Sequence, residues 1–200
     1  IIVKSSREIE LMRQAGHVVA LVFETLRPMI KSGVSTLELD QMAEKVIRDN
    51  GCTPTFKGYG GFPGAICISV NDTLIHGIPS SKIILREGDI VSLDVGATYK
   101  GYCGDAARTY AVGTCLEKAK KLMEVTEQSF FEGCSKIRPG VHLGDVLACE
   151  GFVAQRPEQD GRMVLQRLEL GLRAVKHNGF PLGHAAGHVP GRLHAHGLRP

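Results

Sequence analysis

The chain has no apolar run approaching the ~20 residues that a membrane-spanning helix needs, which excludes a helical anchor within its 200 residues. Its first stretch, IIVKSSREIELMRQAG, is too charged to be the apolar core of a secretory signal, so a cytoplasmic protein is expected. None of the six cysteines (Cys52, Cys67, Cys103, Cys115, Cys134, Cys149) belongs to a CxxC pair. Neither a zinc knuckle nor a disulfide framework is indicated, and reduced thiols fit best. A charge excess of one sign is also missing from residues 1–150, which hold 17 Lys and Arg against 18 Asp and Glu. The basic excess sits in residues 151–200, 7 against 3, without interleaved aromatics. That pattern reads as solvated surface rather than a nucleic-acid interface. No glutamate follows Glu169, a gap that becomes important once a metal site is considered.

What is present is the composition of an ordinary globular protein, 43% hydrophobic and 22% charged. Ile9, Met12, Val19, Val22, Phe23 and Leu26 recur at helical steps behind Ser6 as N-cap. A second helix is predicted behind Thr36, with Leu39, Met42, Ala43 and Val46 on one face and Asn50-Gly51 as its stop. The run TPTFKGYGGFPG (53–64) is too rich in Gly, Pro and aromatics for a helix. AICISVN, DIVSLDVGA and ARTYAVG read as strands, and a third helix over 115–137 is predicted to carry Leu122, Val125, Phe130 and Ile137 near one face. The order of elements predicts an α/β (α+β) mixture with antiparallel pairing.

Two aspartates stand out on what otherwise reads as a core hairpin, EGDIVSLDVGATYKGYCGDAARTYAVG (87–113). A two-residue turn centred on Tyr99 and Lys100 would set Asp94 directly opposite Asp105. Like charges there lie ~5 Å apart at Cβ and repel, and Asp is a poor strand former, so something must offset the cost. A divalent metal between the carboxylates, or protonation of one of them, would do so. The alternative is a turn elsewhere, with one aspartate paired to Arg108 at the surface.

NDTLIHGIPS (71–80) and LREGDIVSLDVGATYKGYCGDAARTYAVG (85–113), together with the opening residues and SKIRPGVHLGDV, resemble the type I methionine aminopeptidases over about residues 1–146. The resemblance implies the pita-bread (creatinase/aminopeptidase-like) fold around a dinuclear metal site, and removal of the initiator methionine from nascent chains. It implies that Asp94 chelates one divalent ion, that Asp105 bridges two, and that His76 acts on the scissile peptide. Tyr59, Phe62 and Cys67 match positions lining the methionine pocket. The ions would be Co, Mn, Fe or Zn, and the partners nascent N-termini near the ribosome, met by a monomer without nucleic acid or membrane. Cys103 stands where many relatives carry His.

The remaining ligands fit less well. GHAAG and GHVPGR offer His184 and His188 as the third ligand, with the Arg192 context favouring His188. Both glutamates that the family places later are missing, so one ion, or none, is held more readily than two. Residues 147–200 differ in composition from the body, with six Arg to one Lys and five His among the last 24 residues. They are read as a separate segment of frameshifted, truncated or divergent origin, or as a His-rich metal-binding tract, which leaves the C-terminal half of the fold incomplete. A catalytically silent, peptide-binding pita-bread relative is the alternative function.

Overall fold

The structure, a computed structural model, describes residues 2–146. Three helices and four strands follow in the order α1 (Ser6–Leu26), α2 (Thr36–Asp49), β1 (Thr53–Pro54), β2 (Cys67–Val70), β3 (Ile90–Tyr99), β4 (Tyr102–Ala111) and α3 (Glu117–Ser135). Among the described residues, no helix is long and apolar enough to cross a membrane.

Both leading helices start one residue earlier than their apolar pattern suggests. Ser5, not Ser6, caps α1, and Ser35, not Thr36, caps α2. The reason is reciprocal hydrogen bonding with the glutamate three residues on, Glu8 and Glu38, in which serine and carboxylate each satisfy the other's backbone N–H. These bonds hold both carboxyls below the usual carboxylate range. Asn50 caps the end of α2 and Gly51 takes the left-handed conformation, as the sequence predicts.

β3 is the centre of an antiparallel sheet, pairing with β1 and β2 along one edge and with β4 along the other. Its residues alternate strictly. Val91, Leu93, Val95 and Ala97 join Val22, Leu26, Leu39 and Ile47 of the helices in one core, and each large side chain buried there contributes roughly 2 kcal/mol. Ser92, Asp94, Gly96 and Thr98 point to the opposite face. That face is polar, with hydroxyl pairs Ser92 to Thr109 (2.8 Å) and Thr55 to Thr98 (2.9 Å) bridging strands.

α1 lies directly against β4. A Cβ at Gly104 would fall 2.6 Å from the Gly16 nitrogen and 2.7 Å from the Ala15 carbonyl carbon, so the two backbones touch. The third helix departs from its predicted face. Its buried residues are Ser129 and Gly133, Leu122 and Val125 are half-buried, and Phe130 is 47% exposed. Ile137 lies beyond the helix and is 64% exposed. Small residues rather than the phenylalanines are buried, and a Cβ at Gly133 would meet the Val146 carbonyl oxygen at 3.4 Å.

Candidate metal centre

The turn between β3 and β4 is Lys100-Gly101, with φ of 48° and 86°. A tight hairpin turn of this hand needs positive φ at both central positions, and glycine supplies the second without strain. The register therefore sits one residue further along than a turn on Tyr99-Lys100 would give. Asp94 pairs with Ala107, and Asp105 with Gly96. The aspartates are not directly opposed. They are diagonal neighbours on the same polar face, a relation that places backbones ~7–8 Å apart. At an effective dielectric of about 20 their repulsion falls only from about 3 to about 2 kcal/mol, so the argument for a cation survives the corrected register. Arg108 pairs with Leu93 and faces the other way, its guanidinium over the Phe23 ring at 5.5 Å.

β2 brings Cys67 beside this pair, as the cross-strand partner of Asp94. Burial first, then the charges of Asp94 and Asp105, push the Cys67 thiol up to about 12. That shift reports both carboxylates acting on one side of the sheet. A cleft of about 380 Å³ opens here, lined by Asp94, Cys67, His76, Tyr59 and Phe62, with Phe56 and Ile78 completing its apolar wall. Five of the sequence-predicted site residues thus share one cavity. Asp105 stands next to it across Gly96, and Cys103, on the same face, bonds Thr98 at 3.2 Å. His184 and His188 lie outside the described residues.

α2 positions both flanks of the cleft through two polar residues four apart on its buried face. Asp40 accepts hydrogen bonds from the N–H groups of Ala65 (2.7 Å) and Ile66 (3.0 Å), just before β2. Thr36 accepts from Ser80 N–H (2.9 Å) and donates to its carbonyl (3.1 Å). Between those anchors, the Ile68 N–H donates to the Gly77 carbonyl at 2.9 Å and the Gly77 N–H donates to Ser69 Oγ at 3.2 Å. Adjacent His76, exposed and at φ 54°, is held at the rim. Burial raises the Asp40 carboxyl, and the two N–H bonds only partly oppose it. The sequence reading passes over Thr36 as a clamp, Asp40, Phe56 and Ile78. Two polar residues in an apolar helical stripe were the available signal for Thr36 and Asp40.

Among the described residues, no three His, Cys, Asp or Glu side chains gather as a ligand cluster. The donor chemistry fits a divalent ion in part. Two carboxylates on one face supply hard oxygen ligands, while the Cys67 sulfur is protonated at neutral pH and is no thiolate ligand.

Comparison with known proteins agrees with this geometry. The chain is 51% identical over 146 residues to methionine aminopeptidase 1 of Bacillus subtilis, a match covering 73% of this chain and 58% of that enzyme. The crystal structure of methionine aminopeptidase from Thermotoga maritima superposes with a TM-score of 0.73 at 41% identity, covering 74% of this chain and 60% of that one. The Xaa-Pro dipeptidase of Bacillus anthracis follows at 0.68 and 29%, covering 76% and 42%. The chain therefore spans less than two thirds of the length of these relatives, and its fold is their pita-bread fold. The profile of metallopeptidase family M24 matches residues 10–198, running past the boundary expected at 146. On that match, the chain belongs to metallopeptidase family M24.

Proposed function

We propose that this chain carries the metal-binding and methionine-binding part of a methionine aminopeptidase, acting on the N-termini of nascent polypeptides in the cytoplasm, near the ribosome and as a monomer. The observation that carries the reading is the placement of Asp94 and Asp105 on one sheet face, beside a cleft lined by Tyr59, Phe62, Cys67 and His76. The cleft suits an unbranched thioether, because aromatic faces and a neutral, polarisable thiol receive sulfur well. His76, at the rim of the cleft, would hydrogen-bond the peptide that follows the first residue. Asp94 and Asp105 would hold Co, Mn, Fe or Zn, with His188 or His184 as a third ligand. Held by these residues, a divalent ion would supply Lewis-acid polarisation of the scissile carbonyl and a lowered water pKa.

The expectation for the 200-residue protein is one ion held by Asp94 and Asp105, with little or no peptide turnover. A second reading is a noncatalytic relative that uses the same cleft to bind peptide N-termini. The test is Mn(II) binding and hydrolysis of a Met-Ala-Ser peptide by the full chain, beside Asp105→Ala. Binding that disappears in the variant, with no turnover in either, is the expected result. Turnover abolished by Asp105→Ala would show that residues 147–200 complete a working site. No metal binding by the native chain would sink the reading.

A further inference from the structure

Gly96 is the direct cross-strand partner of Asp105 and sits two residues from Asp94 on the same face. A Cβ built there would lie 2.7 Å from Phe56 Cε1, 2.8 Å from Phe56 Cζ and 2.9 Å from Thr55 Cβ. The Phe56 ring therefore occupies the side-chain position that Gly96 leaves empty. The position that the ring fills is the one directly opposite Asp105 across the strand pair, where Cβ atoms lie ~5 Å apart, and it falls between Asp94 and Thr98 along β3. The Thr55 N–H donates to the Gly96 carbonyl at 3.0 Å, and β1 pairs with β3 at Thr53 and Pro54, so the backbone that carries the ring is fixed to the same strand. Phe56 also lines the cleft with Asp94.

We infer that Phe56 is a positioning residue for the metal site. Seated on Gly96, its ring limits the orientations open to Asp94 and Asp105 and keeps water off one flank of the ion they hold. This inference rests on the reading of the two aspartates as ligands. The outer shell of a metal site sets solvent access and ligand orientation, and its loss commonly costs 10–100-fold in affinity. Glycine at 96 is then required because its missing side chain is the seat of the ring.

The test measures Mn(II) affinity of the full-length chain by the loss of the free-ion electron paramagnetic resonance signal, and the Co(II) absorption spectrum, in Phe56→Ala, Phe56→Leu, Gly96→Ala and Asp105→Ala. Phe56→Ala is expected to weaken Mn(II) binding by roughly tenfold or more and to alter the Co(II) spectrum, with Phe56→Leu recovering most of both. Gly96→Ala should weaken binding in the native background and have a smaller effect in the Phe56→Ala background, where the seat is vacant. Should Phe56→Ala not fold, Phe56→Leu and Phe56→Val give the same comparison in graded volume. Affinity that stays level across the Phe56 series, while Asp105→Ala abolishes binding, overturns the inference and leaves the ligand reading intact. A native chain that binds no Mn(II) removes both.

Discussion

Cys67 and Asp40 show how the environment of one side chain decides its chemistry. Cys67 is buried on β2 opposite Asp94, and burial first, then the neighbouring carboxylates, push its thiol up to about 12. At pH 8 roughly one molecule in 10⁴ carries the thiolate, so Cys67 should resist iodoacetamide in the folded protein while exposed Cys134 is labelled, as peptide mass spectrometry would show. Labelling of Cys67 at the rate of Cys134 would contradict the burial of Cys67 against β3. Asp40 answers to two buried N–H groups. Asp40→Ala strands both and should cost about 3 kcal/mol, whereas Asp40→Asn keeps an acceptor and should cost much less. Folded Asp40 holds its proton more tightly than the unfolded chain, because burial raises its pKa. Its contribution is therefore fully present below the ordinary aspartate value of about 3.9 and is lost as pH rises through the folded value. The difference in urea midpoint between native and Asp40→Asn protein, measured from pH 3 to pH 7, should therefore favour the native protein most at the acid end and shrink as the pH rises. A native-minus-variant difference that grows with rising pH would reverse the sign assigned here.

At the scale of elements, what could be read from residues and what could not divides along physical lines. The helices and strands were legible from apolar periodicity, since burial of one face is what the pattern records. The hairpin register was not, because a shift of one residue in a turn moves every pairing, and Tyr99-Lys100 and Lys100-Gly101 differ only in where the glycine stands. Gly101 was the signal, since its positive φ is easy for glycine at the second turn position. The face of α3 differs from the apolar pattern as well: Phe130 and Ile137 carry apolar area, but the buried residues are Ser129 and Gly133. The contact of α1 with β4 rests on a close backbone approach at Gly104. Gly104→Ala would drive a methyl into the backbone at Ala15 and Gly16, and should cost about 2 kcal/mol or more in chemical denaturation. An unchanged midpoint would mean that α1 can lift off the sheet without penalty.

For the whole molecule, Asp94, His76 and the aromatic loop line one cleft with Asp105 beside it, although these residues lie up to 49 positions apart in sequence, from Phe56 to Asp105. Their convergence was legible only through the family resemblance. Spacing along a chain says nothing of which sheet face receives a side chain until the register is known. The buried Thr36 and Asp40 clamps, by contrast, needed the structure, because a polar residue within an apolar stripe can equally be a surface residue at the stripe's edge. If the cleft and its two carboxylates form a metal site in the intact chain, ligand binding must stabilise the fold by linkage, by about 2.7 kcal/mol at a free-ion concentration one hundred times the dissociation constant. For a chain of this size each kcal/mol raises the melting temperature by about 2–4 °C. Chelator-treated protein should therefore melt roughly 5–10 °C below protein given saturating Mn(II), and Asp94→Ala/Asp105→Ala should melt at one temperature with or without the ion. His184→Ala and His188→Ala, measured in the same series, separate the two candidate third ligands. The one that ligates loses part of the Mn(II)-dependent rise, and the other keeps it whole. Equal rises in both variants would assign the third ligand to neither histidine and confine the ion to the carboxylate pair.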